Sequence, residues 1–394
     1  MERNRMELLP GVFLTLVRRR EDESACFRAA LLRQLSREEA AMNALLPEAL
    51  LYGTQRYPDG ALEAALADFH AKAEPLVRSI GEVQAVGFTA VFDHDPAQFT
   101  ALMQTLAGVL LAPDTRFGQL KKEAVALALQ RWDEADEAAD DPFAAMREHM
   151  CCFEDYAVPV RGERPEAGPN YYQKLSKHYR AVLSQSPVEL YYAGAIPAKL
   201  AKQTIADCFA VMPRGELDFD LGTDIRMNAV EAEPRVLDQS GAQGTNLVTV
   251  GWRLGEVMEE PDPPVLEALA GGYQALTAKL ETEVRLDVHK GSLLARCGTD
   301  PDRAEEIVSA LKDAMAQLAA GVSVEVLDLG RAARVQALRA LEQDPAALEA
   351  FWLEQDLLGL ELAPDEYAAF IQEASPAAVA EAAQGTECDA ILLG

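Results

Sequence analysis

Five histidines, six cysteines and one acidic run are the residues of this chain best equipped to hold a metal or move a proton. The histidines are His70, His94, His149, His178 and His289, and no two stand three or four apart as a ligand pair on one helical face would. His149 and Cys152 could share a helix face beside Cys151. Structural zinc takes four ligands, however, and this stretch supplies no others, so it reads as a helix face packed at the edge of a core. The run Asp133–Asp141 (DEADEAADD) reads as a solvated helix end or loop rather than a metal site. Tyr171-Tyr172 and Tyr191-Tyr192 read as core packing rather than a ligand cage. No G-x-S-x-G elbow and no family-specific cysteine signature accompanies a nucleophile. Cys26, Cys151, Cys152, Cys208, Cys297 and Cys388 form no C-x-x-C pair, and adjacent Cys151 and Cys152 do not readily bridge each other. That spread suits buried thiols in a reducing compartment, so a cytoplasmic location is expected.

The bulk properties bound what these residues can serve. The chain has 394 residues, enough for two or three ordinary domains, and 49% of them are apolar, enough for a sizeable core. Its formal net charge of −28 argues against nucleic acid and anionic membranes as partners. It is compatible with plain solubility, or with an acidic cavity that draws basic peptides. The apolar stretch Leu8–Val17 contains Pro10-Gly11 and runs into Arg18-Arg19-Arg20, so it reads as a strand rather than a signal peptide. No apolar run approaches membrane-spanning length.

The spacing predicts two paired strands, Val12–Val17 and Cys26–Leu32, followed by a helix from Ser36 towards Tyr52. Ser36 and Glu39 form a capping-box pattern, Gly53 stops the helix, and Pro47 should kink it. A helix over Gly60–Ala71 and strands over Pro75–Ile80 and Val83–Phe92 follow, then long helices over Pro96–Leu111 and Phe117–Glu137.

The second half repeats part of this plan. Asp95-Pro96 follows a strand and opens a helix, and Asp300-Pro301 does the same after Ser292–Cys297. Val188–Gly194 (VELYYAG) and Cys388–Gly394 (CDAILLG) are apolar strands that each follow a helix, and Val12–Arg18 and Leu247–Trp252 would be the matching first strands. Three matches in one order indicate two copies of one α+β unit. Met212–Gly244, rich in Pro, Gly and acidic residues, reads as the link between them. The expected division is a lobe over 1–215, a linker over 216–244 and a lobe over 245–394, each lobe an antiparallel sheet covered by helices.

The segment Glu38–Asp59 (EEAAMNALLPEALLYGTQRYPD), with the duplicated lobe, resembles the pitrilysin/insulinase family of zinc peptidases, specifically the inactive subunits found beside active ones in bacteria. The resemblance continues through Gly81-Glu82-Val83-Gln84, Asp140-Asp141-Pro142, Ala270-Gly271-Gly272, Lys290-Gly291 and the closing CDAILLG. Active members carry H-x-x-E-H on the first helix: two histidines one turn apart grip zinc and the Glu activates its water. Anchored on Gly53-Thr54, those positions fall at Ala44, Pro47 and Glu48, so none is retained, and no histidine precedes His70 to rescue the register. The third ligand, a Glu on a later helix, would fall near Ala124–Arg131 (AVALALQR), which has no carboxylate; Glu123 just before it is the candidate remnant. In the second lobe, Lys279–Arg285 resembles the segment whose Arg holds substrate, making Arg285 the candidate substrate contact or else a surface ion-pair partner; the stretch bearing the family's substrate-holding Tyr is missing before Gly291.

The resemblance implies the two-lobed fold of that family, no metal bound by this chain, and no activity of the chain alone. It implies a homologous H-x-x-E-H-bearing partner that holds zinc, with which this chain encloses a peptide substrate for processing. The competing expectations are a homodimeric peptide-binding or scaffold protein with no peptidase role, and a standalone hydrolase of unrecognised chemistry.

Overall fold

The computed structural model describes residues 3–134, 141–225, 233–238, 247–254 and 263–394. Most of the acidic run (135–140) and the glycine-rich Ser240–Gly244 lie outside the described residues. The first half carries β1 (Arg3–Leu9), β2 (Val12–Arg18), β3 (Ala25–Gln34), α1 (Ala40–Leu51), α2 (Leu62–Ala67), β4 (Ala71–Ile80), β5 (Val83–Phe92) and α3 (Phe99–Leu111). After these come β6 (Thr115–Arg116), β7 (Gln119–Leu120), α4 (Lys122–Glu134), α5 (Ala144–Met150), α6 (Tyr171–Gln185), β8 (Val188–Gly194) and α7 (Ala198–Phe209). The second half carries β9 (Arg235–Asp238), β10 (Leu247–Arg253), α8 (Pro263–Leu276), β11 (Glu283–Asp287), β12 (Ser292–Gly298), α9 (Ala304–Ala320) and α10 (Val324–Ala340). It ends with α11 (Pro345–Leu358), α12 (Pro364–Glu373), α13 (Pro376–Gln384) and β13 (Glu387–Leu393).

Two compact units result, and neither is continuous in sequence. The first comprises Met1–Asp140, Val158–Gly222 and Gln343–Gly359, the second Asp141–Ala157, Thr223–Glu342 and Leu360–Gly394. Each therefore includes one segment from the other half of the chain, which a division in sequence order does not anticipate.

The first unit is a six-stranded sheet in the order β1-β2-β8-β3-β5-β4. All its pairs are antiparallel except β2 with β8. The expected pairing of Val12–Val17 with Cys26–Leu32 is corrected: β8 lies between β2 and β3. The connection 19–24 (RREDES) is long enough to cross the roughly 10 Å of two strand spacings, which leaves room for a strand that returns much later in the chain. Residues 117–120, expected as the start of a helix, belong to the β6–β7 hairpin instead. Phe117 and Gly118 at its tip both have positive φ, +54° and +73°, so no helix runs through them, and α4 begins at Lys122, after the hairpin. At the start of α1 only half of the capping box forms. Ser36 Oγ accepts from the Glu39 amide, while the Glu39 carboxylate turns to Arg33 (2.7 Å).

Strand β3 explains the layering. Phe27, Ala29 and Leu31 join a core with α1, α3, α4, α6 and α7. Ala30 and Leu32 point the other way, into a cluster completed by Leu353 of α11. A strand covered on both faces reads as a near-continuous apolar run, and β3 does. Among those apolar residues sits Arg28, fully buried, which donates to the Glu349 carboxylate of α11 at 2.7 Å and to the Glu349 carbonyl at 3.2 Å. Arg78 lies 3.4 Å from the same carboxylate. Further along α11, Asp356 pairs with Arg3 and Arg5 of the edge strand and accepts from Thr15 Oγ1.

The second unit is a five-stranded sheet, β11-β12-β10-β13-β9, with only β13 and β9 parallel. This is the order of the first sheet without β1, which bears out the internal repeat and the mixed, antiparallel-rich α+β fold. It also corrects one correspondence: Leu247–Arg253 pairs antiparallel with the closing strand and so matches β3, not β2. The match to β2 is the short strand Arg235–Asp238, parallel to β13. Helices α8 and α10 meet backbone to backbone at two glycines: a Cβ on Gly330 would lie 2.2 Å from the Gly271 carbonyl. The segment 141–157 contributes Phe143, Met146, Met150 and Tyr156 to a core against Leu294, Ala390 and Leu392. Its Glu154 receives Arg253 at 2.7 Å and Lys290 at 2.6 Å, and Arg253 also reaches Asp389 at 2.6 Å.

Replacing Arg28 by Met should leave Glu349 buried and half-paired and lower unfolding stability by roughly 3–5 kcal/mol. The double replacement of Arg28 by Met and Glu349 by Leu should recover much of that loss. Urea denaturation of both variants checks it; a loss below about 1 kcal/mol for the single variant would mean that Arg78 alone holds the carboxylate.

Candidate functional site

Helices α1 and α4 pack together in the first unit, and they carry the positions that the sequence resemblance aligns with a zinc site. Ala44 and Pro47 are buried and Glu48 is partly exposed. α1 runs through Pro47 unbroken; the proline lacks the N–H that would bond to the Asn43 carbonyl one turn earlier. On α4, Ala124, Val125 and Ala128 are buried and Glu123 is exposed in the first turn.

The side chain at the second His position does not face an empty ligand set. Glu48 Oε2 accepts from Arg131 Nη1 at 2.5 Å. An ion pair thus bridges the two helices that a metal would otherwise join. A guanidinium beside the Glu48 carboxylate supplies a permanent positive charge and competes with any cation for that oxygen. Ala44 and Pro47 offer no donor atom, and among the described residues no three His, Cys, Asp or Glu side chains cluster as metal ligands. The residues present therefore do not fit a zinc ion, and no hydrolytic step through one can be drawn.

Next to this pair lies a polar chain that sequence reasoning missed. Asn43, one residue before Ala44, donates from Nδ2 to Gln84 Oε1 of β5 at 2.8 Å. Gln84 in turn donates to the Ala40 carbonyl at 3.2 Å and the Val160 carbonyl at 2.5 Å. With both amides oriented this way, Asn43 Oδ1 is an acceptor and His178 Nε2–H of α6 donates to it at 2.7 Å. Asn43 and Gln84 are fully buried and His178 is 9% exposed. Burial pushes His178 below the ordinary histidine range, partly offset by Glu39. The chain fixes α1 to β5, to α6 and to the segment after Val158. Gly162 in that segment has φ +67°, and a Cβ there would lie 2.6 Å from the Ala41 amide nitrogen. Asn43 and Gln84 fall within the motif segments quoted above; His178 carried no spacing signal, because its partners are distant in sequence.

The glycine-threonine pair after α1 has a local reason too. A Cβ on Gly53 would lie 2.8 Å from the Tyr57 carbonyl, and the Gly53 carbonyl accepts from the Asp114 amide at 2.9 Å. In the second unit, Arg285 sits on β11 and is committed to Asp141 (2.5 Å), with its guanidinium over the Phe143 ring at 5.4 Å. Its side chain is 40% exposed. The tyrosine pair Tyr191-Tyr192 is buried, Tyr192 packing against Phe92 and Phe99, as core reading expected. His149 Nε2–H donates to the Arg235 carbonyl (3.0 Å), and Arg235 reaches exposed Cys152.

No protein-family model matches the chain. It is 22% identical over 390 residues to the probable inactive metalloprotease YmfF of Bacillus subtilis, covering 91% of this chain and 90% of that protein. Its fold is that of a peptidase M16 inactive domain from Pseudomonas fluorescens, at 13% identity, with a TM-score of 0.74 over 100% of this chain and 98% of that one. The periplasmic protease PqqL of Escherichia coli matches at 14% identity and a TM-score of 0.71, over 99% of this chain but 47% of PqqL.

Two measurements test the site. A double-mutant cycle on Glu48 and Arg131, each changed to Ala, should give a coupling of roughly 0.2–1 kcal/mol, the range for a pair open to solvent. The buried chain predicts pH dependence. Below about pH 6.5 the unfolded chain takes a proton at His178 that the folded chain resists, so stability should fall as pH drops through that range. His178→Gln, which keeps a donor for Asn43, should show a smaller fall between pH 7.5 and 5.5 in urea titrations; equal falls would show that His178 is not responsible.

Proposed function

Starting from the fold of the insulinase-like zinc peptidases and the likeness to their inactive members, we propose that this chain is the non-catalytic subunit of a zinc-metallopeptidase complex. It pairs with a homologous subunit bearing H-x-x-E-H, and the two enclose a peptide for processing. The Glu48–Arg131 ion pair carries the reading. It supports a position whose one carboxylate is neutralised by a guanidinium rather than by a metal, on a scaffold otherwise kept whole. PqqL supports pairing in a second way, since this chain matches about half of its length. The zinc and the water-activating Glu come from the partner; this chain contributes half of the chamber wall and a peptide-contacting surface. We place the pair in the cytoplasm, a location supported by six unpaired cysteines.

The test is metal content and peptidase activity of the purified chain, alone and mixed with its H-x-x-E-H-bearing homologue. We expect sub-stoichiometric zinc and no cleavage alone, with stable association and cleavage in the mixture. Cleavage by the chain alone, with stoichiometric zinc, would overturn the proposal. A homodimer that binds peptide and leaves the homologue's activity unchanged would establish the scaffold role instead.

A further inference from the structure

The strand register of the first unit builds a cavity that the peptidase reading does not use. Antiparallel pairing sets Asn4 opposite Leu16, and parallel pairing sets Leu16 opposite Tyr192, so these three stand in one row on one face. Two residues on, Arg18 stands opposite Gly194. Helix α7 covers this end of the face with Ala198 and Ala201. Because Gly194, Ala198 and Ala201 are all small, the layers do not close, and a cavity of about 200 Å³ remains. Gly194 is fixed by this arrangement: a Cβ there would lie 2.2 Å from Tyr192 Oη. That hydroxyl accepts from the Ile196 amide at 3.3 Å, and its ring is locked against Phe92 and Phe99. The floor is therefore rigid and mostly apolar, with Asn4 and Arg18 as its polar groups.

The charge at this mouth runs against the rest of the molecule. Acidic residues outnumber basic ones 64 to 36, yet residues 190–206 contain no Asp or Glu. Among the described residues Arg18 has neither an ion-pair nor a hydrogen-bond partner, whereas its neighbours Arg19 and Arg20 are both paired with Glu23. Lys199 and Lys202 stand exposed on the same turns of α7 that supply Ala198 and Ala201, and they too are unpaired among the described residues. An unpaired guanidinium with a planar fork of donors is suited to a carboxylate, and the apolar floor to a compact hydrocarbon group.

We propose that this cavity binds a small monocarboxylate with an apolar tail, either as a free acid or as the C-terminal residue of a peptide. The carboxylate meets Arg18, with Lys199 and Lys202 adding attraction at the mouth, and the tail packs on Leu16, Ile196 and Tyr192. The site is independent of any metal and of any partner subunit, so it stands or falls apart from the peptidase reading.

Titration calorimetry on the full chain tests it with four probes: hexanoate, hexanamide, acetyl-Ala-Leu and the C-terminal amide of that dipeptide. At least one acid should bind saturably, and its amide should bind at least about tenfold more weakly, the scale of one lost charge-assisted bond. Arg18→Gln and Ala198→Trp, the second of which fills the cavity with the charge kept, should each weaken binding about tenfold or more. Both change exposed positions, and an unchanged melting temperature would establish that they fold. Tighter binding of the dipeptide would assign the site to a peptide C-terminus, tighter binding of hexanoate to a free acid. Failure of both acids to bind, or equal binding to wild type and Arg18→Gln, would overturn the proposal.

Discussion

Each sheet of this protein is covered on both faces, and the second cover comes from the other half of the sequence. Everything else follows from meeting that requirement. A sheet buried on two sides loses water from both, so polar groups on the inner strands need partners from the covering segment. The covering segments supply them as carboxylates. Glu349 and Asp356 of α11 meet Arg28, Arg78, Arg3 and Arg5 in the first unit. Glu154 meets Arg253 and Lys290 in the second. Such pairs contribute little net stability against an apolar replacement, but breaking one partner is costly. They fix which segment sits on which sheet, and in what register, more than they hold it there.

That division of labour lets the first unit stand without a metal between its helices. The α1–α4 contact rests on Ala44, Ala124 and Ala128 and on the apolar core beneath them, none of which requires a metal. Substitution at the ligand positions therefore removes chemistry without removing packing. Pro47 gives up one helical hydrogen bond, yet the surrounding burial keeps α1 intact. The exposed Glu48–Arg131 pair ties the two helices at their surface, and its solvent access makes it weak. Rigidity comes instead from the buried Asn43–Gln84–His178 chain, where every amide group has a partner and a single orientation satisfies all of them.

What the sequence disclosed depended on whether a signal was local. The repeat was readable because Val188–Gly194 and Glu387–Leu393 are apolar strands bounded by turns, and because Asp95 and Asp300 each open a helix. The pairing of β2 with β8 was not, since it joins residues about 176 positions apart by backbone bonds that leave no pattern in either strand. Arg235–Asp238 was hidden for a different reason: four residues with polar neighbours, at the sheet edge, carry too little alternation to separate from a linker. The absence of H-x-x-E-H was legible, because that motif is a spacing. What stands there instead was not, because Glu48 and Arg131 meet only when α1 and α4 pack. Arg28 shows the same limit from the other side: a lone charge in an apolar strand announces a buried partner, but only the fold says that the partner is Glu349.

The two chemistries that survive on the first unit differ in kind, and the difference bears on function. Between α1 and α4 charge is neutralised internally: Glu48 is answered by Arg131, and the buried polar chain on α1 is closed on itself. At the far ends of β2 and β8 charge is left open: Arg18, Lys199 and Lys202 have no answer within the described residues, in a chain whose surplus of carboxylates could easily have provided one. Internal closure at one place and open charge at another agrees with the two proposals made for this chain: a subunit without metal chemistry of its own, and a separate site for a carboxylate.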